Sequence, residues 1–430
     1  MSFLFKFFAY LAEGEDDELW DTYYNFYGPF LEISFVFPSW RRSRIPVSLT
    51  VLGFFAFTFP VHLWLLTLGI EGVRDDFNLA SMEFHYWMLL MFSMISIFLM
   101  NSHRQNMIDF HRRLSRDVGF HGPGRIYDED YPMKLEHNKR KQLLQFLFLP
   151  GLVLVLAGAT LILPYLSKMD GTVLYNSREV NMKLPIPLWY PFPTHEGILS
   201  IMAVLGQFMA AGGLSAVIMT LDLIIFRATQ AMIFEYKVLR YAIDTLVPRA
   251  KRLYAQEYPM MDLESVKMSD DAFQICIGKC LRACVIHHQD INRLLNLYKV
   301  MLKWPGFMAY GFGTAVIGLS LINILSAKQN GDYENIVLFF GLSMAEVLNM
   351  LMMSVFGELI STESKELRQE LYFIEWHNLN TFNRKLMLGF QMGLNNPVIV
   401  KVGGLVTVSL ETFSSIMNTS YSFFNLVNAQ

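Results

Sequence analysis

The chain has 430 residues, 53% of them hydrophobic and 17% charged, with a formal net charge of −3. An ordinary soluble domain is about 25% charged, so this composition argues against a soluble globular protein. No basic, aromatic-interleaved face is present to hold nucleic acid. Seven apolar runs each reach the roughly 20 residues needed to cross about 30 Å of hydrocarbon as a helix. Alternating barrel strands of about 10 residues do not fit them.

Residues 1–44 form an N-terminal segment. Its opening, "MSFLFKFFAYLAEGEDDE", has no basic leader and no small-residue cleavage site, so it is expected to stay on the side of synthesis. Residues 45–226 hold spans one to four (45–70, 79–101, 143–166 and 197–221), with an external Pro-rich link at 167–196. Within that link, "KLPIPLWYPFPTHE" reads either as a rigid lid or as a connector anchored at the interface by Trp189 and Tyr190. Next comes a long link, 227–303. There Ile277, Leu281, Cys284, His288, Ile291, Leu295 and Tyr298 recur at alternating steps of four and three, which predicts a helix with one packed seam running on into span five. Spans five and six (304–327 and 335–357) occupy 304–360. Segment 361–397 is charged and helix-compatible, a candidate cytoplasmic anchor, and Pro397 breaks it before the last span within 398–430.

Thirty of the 35 Lys and Arg fall on one side of seven alternating crossings, which predicts a cytoplasmic N-terminus and an extracellular C-terminus. G-protein-coupled receptors have the opposite orientation, so no G protein is expected. Cys276, Cys280 and Cys284, with His287 and His288 behind them, suggest a metal stripe. A continuous helix spreads the outer two thiols by about 12 Å, however, so small packing residues are the better reading. No nucleophile motif, phosphate loop or metalloprotease motif occurs. Neither an enzyme nor a cofactor is expected.

Ionisable groups inside spans are the usual functional pointers. Here they are His62, Glu83, His85, Asp222, Glu346 and Glu411. His62 and Asp222 read as satisfied by neighbours or placed near an interface. Glu83 and His85 lie in the first turns of span two, where water is expected to reach them. Glu346 is deeper and gives the alternative of a proton- or ion-coupled secondary transporter. In the last span, Glu411, Ser415, Asn418, Ser422 and Asn425 fall within about 80° of one another around a helix. Two readings fit this stripe. One is polar glue against a neighbouring helix, favoured because such contacts are common. The other is a wetted pore wall, in which a ring of Glu411 carboxylates at the cytoplasmic end would concentrate cations.

The stretch "SLETFSSIMNTSYSFFNLV" resembles the C-terminal signature of the insect odorant receptors, with its Ser-Leu-x-x-Phe opening, its Thr-Ser-Tyr-Ser and its aromatic-aliphatic end. The remainder is similar in size and span layout. The resemblance implies an all-α membrane protein of seven transmembrane helices, a ligand-gated non-selective cation channel in the plasma membrane of olfactory sensory neurons. Four subunits would surround a pore lined by span seven, held together by cytoplasmic helices. By position, it implies an apolar outer gate at Leu426, with Asn425 and Ala429 beside it. A small volatile odorant would sit between spans two, three, four and six, a region carried onto His85, Tyr86, Leu89, Leu154, Ala157, Leu161, Met202, Leu205, Met209, Phe339 and Leu342. The Thr-Ser-Tyr-Ser and the shorter fourth-to-fifth link resemble an odour-tuned subunit, which implies a heterotetramer with the family's co-receptor in membrane lipid. A gustatory-type ligand-gated channel is the near alternative, although its usual Gln-Phe ending is absent.

Overall fold

The computed structural model describes Ala12 and residues 28–72, 77–115, 151, 180–181, 183–260, 266–329, 331 and 333–428. Apart from Gly151, span three, with Leu154, Ala157 and Leu161, lies outside these residues, as do Ala429 and the side chain of Leu426. In chain order the described helices are α1 (Gly28–Ile33), α2 (Ile45–Gly72), α3 (Phe77–Ser102), α4 (Arg104–Ser115), α5 (Gly197–Asp244), α6 (Leu246–Glu257), α7 (Asp271–Gln329), α8 (Tyr333–Phe373), α9 (Thr381–Gly393) and α10 (Leu410–Asn428). Five of them, α2, α3, α5, α7 and α8, are long and apolar enough to cross a membrane. The stripe of polar residues keeps α10, at 19 residues, out of that group.

The organising element is α7, a single helix of 59 residues that packs against α3, α4, α5, α6, α8, α9 and α10. Every residue of the expected seam, from Ile277 to Tyr298, is buried. The 3.6-residue period stacks those side chains on one face, and burying that face gives the long helix its partners. The three cysteines belong to the same packing. All are buried, and Cys284 Sγ accepts from the Arg249 guanidinium at 3.3 Å. Burial pushes the Cys280 thiol up to about 11, away from the thiolate a metal would need. Among the described residues, no group of three or more His, Cys, Asp or Glu is arranged to hold a metal.

Segment 361–397 is not one helix. The chain leaves α8 after Phe373, makes a 3-10 turn at Trp376–Asn378, and restarts as α9. Asn380 causes the restart, because its side chain accepts from the Asn383 amide at 2.9 Å as an N-cap. Asn383 then docks α9 onto α7 by donating to the carbonyl of Gln274 at 2.8 Å and to its side chain at 2.9 Å. Gly278 leaves the room for that amide, which a Cβ would meet at 2.6 Å.

The last helix, Leu410–Asn428, occupies only the later part of the 398–430 segment expected to hold the last span. Residues Lys401–Val402 (β1) and Val406–Thr407 (β2) pair antiparallel, in the register Lys401↔Thr407 and Val402↔Val406. Gly403 and Gly404 turn the hairpin at φ +61° and +76°, a conformation that side chains disfavour. The hairpin is wedged into the helices. The Gly403 amide donates to the Lys303 carbonyl at 2.6 Å, and Val402 sits against Gly306. Ser409 then caps α10, accepting from the Thr412 amide at 3.3 Å.

A second expectation also fails. Glu83 and His85 are not wetted, being 0% and 1% exposed. The absence of a side chain at Gly69 on α2 lets the Glu83 carboxyl of α3 press directly against it.

Candidate functional site

Helices α2, α3, α5, α7 and α8 converge on a cavity of about 100 Å³, with room for a compact organic molecule. Its wall is mostly aliphatic: Leu66, Leu89, Leu90, Ala210, Leu214, Ile218, Val316 and Leu342. Polar side chains interrupt it at His62, His85, Tyr86, Gln207, Ser215, Glu346 and Asn349.

The Pro-rich link closes one side. Ile186 and Leu188 project from it into the wall. Gln207 on α5 pins it in place by accepting from the Ile186 amide at 3.0 Å and donating to the Ile186 carbonyl at 2.9 Å. Farther along, Asn181 donates to the Thr194 carbonyl at 2.8 Å and Tyr190 to that of Ala203 at 3.5 Å. Prolines limit the number of shapes such a segment explores, so a few hydrogen bonds hold it at a small entropic cost. The link thus lies along one side of the cavity, and its Trp189 and Tyr190 are half-buried against the core.

Of the residues expected around a ligand, His85, Tyr86, Leu89 and Leu342 line this cavity. Phe339 is buried but stands apart from the lining. Met202, Leu205 and Met209 are 58%, 56% and 51% exposed and face away from it. The inward face of α5 consists instead of Ala203, Gln207, Ala210 and Leu214. A large apolar side chain in a membrane helix is as suited to lipid as to the interior, whereas small and polar residues let helices approach each other. That difference identifies the inner face, and Gln207, a polar residue within an apolar run, is its clearest mark. His62 is satisfied at one ring nitrogen only, Nε2 being buried with no partner among the described residues. Its Nδ1–H donates to the Thr58 carbonyl at 2.8 Å, and the ring also lines the cavity.

The terminal helix carries a second feature. α10 packs on α7 and α8, with Phe413, Ile416 and Met417 turned to the core. On the other side, Glu411, Ser414, Ser415, Asn418, Thr419 and Ser422 line one open polar concavity. Glu411, Ser415, Asn418, Ser422 and Asn425 are all exposed. The stripe is therefore not glue within this chain. Its hydroxyls are satisfied locally, Thr419 donating to the Ser415 carbonyl at 2.9 Å and Ser422 to that of Asn418 at 2.8 Å.

The family model for the 7tm odorant receptors matches residues 76–421. Among curated Drosophila melanogaster proteins, Odorant receptor 33b is 26% identical over 150 residues, 35% of this chain and 39% of the relative. Odorant receptor 94a is 26% identical over 38% of this chain and 42% of its own. Odorant receptor 67a is 22% identical over 55% and 51%. The chain thus spans about two-fifths to one-half of the length of these relatives. The olfactory receptor OR5 from the insect Machilis hrabei in complex with eugenol superposes with a TM-score of 0.74, at 12% identity, over 94% of this chain and 96% of that one. The same receptor without that ligand gives 0.70, covering 93% and 96%. Likeness at this identity shows a shared fold.

Proposed function

The chain belongs to the 7tm odorant receptor family, a family of receptors and not of enzymes, and on that premise we propose that it is the odour-tuned subunit of an odorant-gated, non-selective cation channel. A small volatile compound occupies the cavity lined by His85, Tyr86, Leu89 and Leu342. Its binding shifts α8 and α7, the two helices on which α10 rests. Copies of α10 from four subunits, some of them supplied by the family's co-receptor, surround a pore in the plasma membrane of an olfactory neuron. In that pore Glu411 stands at the cytoplasmic mouth, Ser415 to Ser422 form the wetted wall, and Leu426 is the outer constriction.

The observation that carries this reading is the exposed polar stripe of α10. A helix that turns five polar residues outward in an apolar chain requires either water or a partner. Rotational symmetry converts one such stripe into a closed aqueous lumen.

The test is to record odorant-evoked current from cells expressing the chain alone and with the co-receptor, across a panel of volatiles. Current is expected only in the second case. Silence in both, with delivery to the surface confirmed, rejects the reading. Leu426→Ala is expected to raise ligand-free current or change ion permeability, and unchanged basal and evoked currents would move the gate elsewhere.

A further inference from the structure

The cavity wall holds polar atoms that have no hydrogen-bond partner among the described residues. His62 donates its Nδ1–H to a carbonyl, which can only accept. In the neutral ring Nε2 is then a lone-pair acceptor, and it is buried with no partner among the described residues. Asn349 Oδ1 is a second buried acceptor with no partner among the described residues. Glu346, three residues earlier and so on the same face of α8, adds its carboxyl to the same wall. Asp222, another acid, is an electrostatic neighbour of Glu346. The other carboxamide of the cavity, Gln207, has both of its groups engaged with the Ile186 backbone. The Tyr86 hydroxyl of the same wall is also buried without a partner among the described residues and can donate as well as accept, and the unpartnered His85 Nδ1 does either according to tautomer. An acceptor-only ligand can take a hydrogen from Tyr86 but leaves the His62, Asn349 and Glu346 acceptors unmet, whereas a hydroxyl or amine supplies hydrogens and accepts as well. Unmet buried acceptors are unfavourable, and a site with several of them discriminates for a molecule that supplies the missing hydrogens.

We propose that this cavity selects small apolar molecules ending in a hydrogen-bond donor, namely alcohols, phenols or amines, over acceptor-only compounds of the same shape such as ethers, ketones and esters. The proposal rests on the cavity being the odorant site, as inferred above. A donor N–H or O–H is directed to the Glu346–Asn349 side, and the aliphatic wall covers the rest of the molecule. Both donor types bind without any covalent step. An amine forms an ion pair with Glu346 or shares its proton, and a hydroxyl donates to a carboxyl or carboxamide oxygen.

The experiment uses the full chain co-expressed with the co-receptor and panels built on single skeletons. Phenol, aniline, anisole and toluene form one set; 1-hexanol, hexylamine, 2-hexanone and hexane form another, with further skeletons added in the same pattern. On the skeleton giving the largest current, the donor-bearing members are expected to act at concentrations at least tenfold below the acceptor-only and bare members. Asn349→Leu is expected to shrink that preference at least threefold. Glu346→Gln keeps a carbonyl acceptor, so a lost amine response with a retained alcohol response assigns the amine to the ion pair. Equal or greater potency of ethers, ketones or esters in the unmodified channel overturns this inference and leaves the channel reading intact. No current from any compound, with surface delivery confirmed, overturns both.

Discussion

A methyl group added at Gly357 would collide with the backbone carbonyl of Val408, whereas one added at Gly389 would meet nothing. The contrast makes a controlled pair. Gly357→Ala is expected to destabilise the protein by about 1–3 kcal/mol, as overpacking does, and Gly389→Ala, at an open position inside a helix, to stabilise it by about 0.5–1 kcal/mol. Melting temperature in detergent, read by size-exclusion fluorescence, checks both. At the other end of this junction, Glu411 is exposed on the polar face. Glu411→Gln is expected to lower cation conductance and weaken the relative permeability of divalent ions, while leaving odorant potency within about twofold. Unchanged permeability ratios would remove Glu411 from the ion path. Single residues were unevenly legible in the sequence. His62, Glu83, His85, Asp222 and Glu346 stand out as ionisable groups in apolar runs, and three of them line the cavity. Asn349 and Gln207 lack a charge and pass unnoticed without the packing that surrounds them.

Among the elements, α7 was the easiest to read and the hairpin at 401–407 the hardest. A seam that holds helical spacing all the way from Ile277 to Tyr298 is produced by little else than a packed helix. The hairpin has only two residues per strand, and its valines look like span residues, so Gly403-Gly404 is the one local signal of a turn. The outward face of α5 was unreadable for a different reason: methionine and leucine suit lipid and protein equally, so size does not specify direction. Beyond the apolar region, α5 and α8 are joined by charge. Arg240 pairs with Glu363 at 3.3 Å, with Glu370 at 3.4 Å and with Glu366, and Lys237 adds a contact to Glu363 at 3.7 Å. Three carboxylates on one guanidinium form a partly shielded network, which is worth more than an isolated surface pair. Arg240→Gln is expected to lower stability by about 1 kcal/mol, and the loss should shrink in high salt. A salt-independent loss would assign the effect to packing of the arginine stem instead.

The molecule as a whole should also respond to pH through groups that are buried without charge. Burial, aided by the neighbouring His287, pulls the His288 imidazole down to about 4. In the unfolded chain it titrates near 6.5, so below that pH the unfolded state binds the extra proton and the folded state does not. Stability contributed by His288 is therefore present above about 6.5 and is lost progressively as pH falls toward 4. Melting temperatures between about pH 7.5 and 4.5 should fall less steeply for His288→Phe than for the unmodified protein. Equal slopes would show that other groups govern the response. Residue and element meet at this scale in α10. Its base is clamped by the hairpin, the Lys303 carbonyl and the Ser409 cap, while its far end carries Asn425 beyond those clamps. A helix of 19 residues is about 28 Å long at 1.5 Å per residue. It is a lever with a fixed fulcrum: a tilt of about 5° there, too small to break a hydrogen bond at the base, carries the tip sideways by about 2.5 Å at that length.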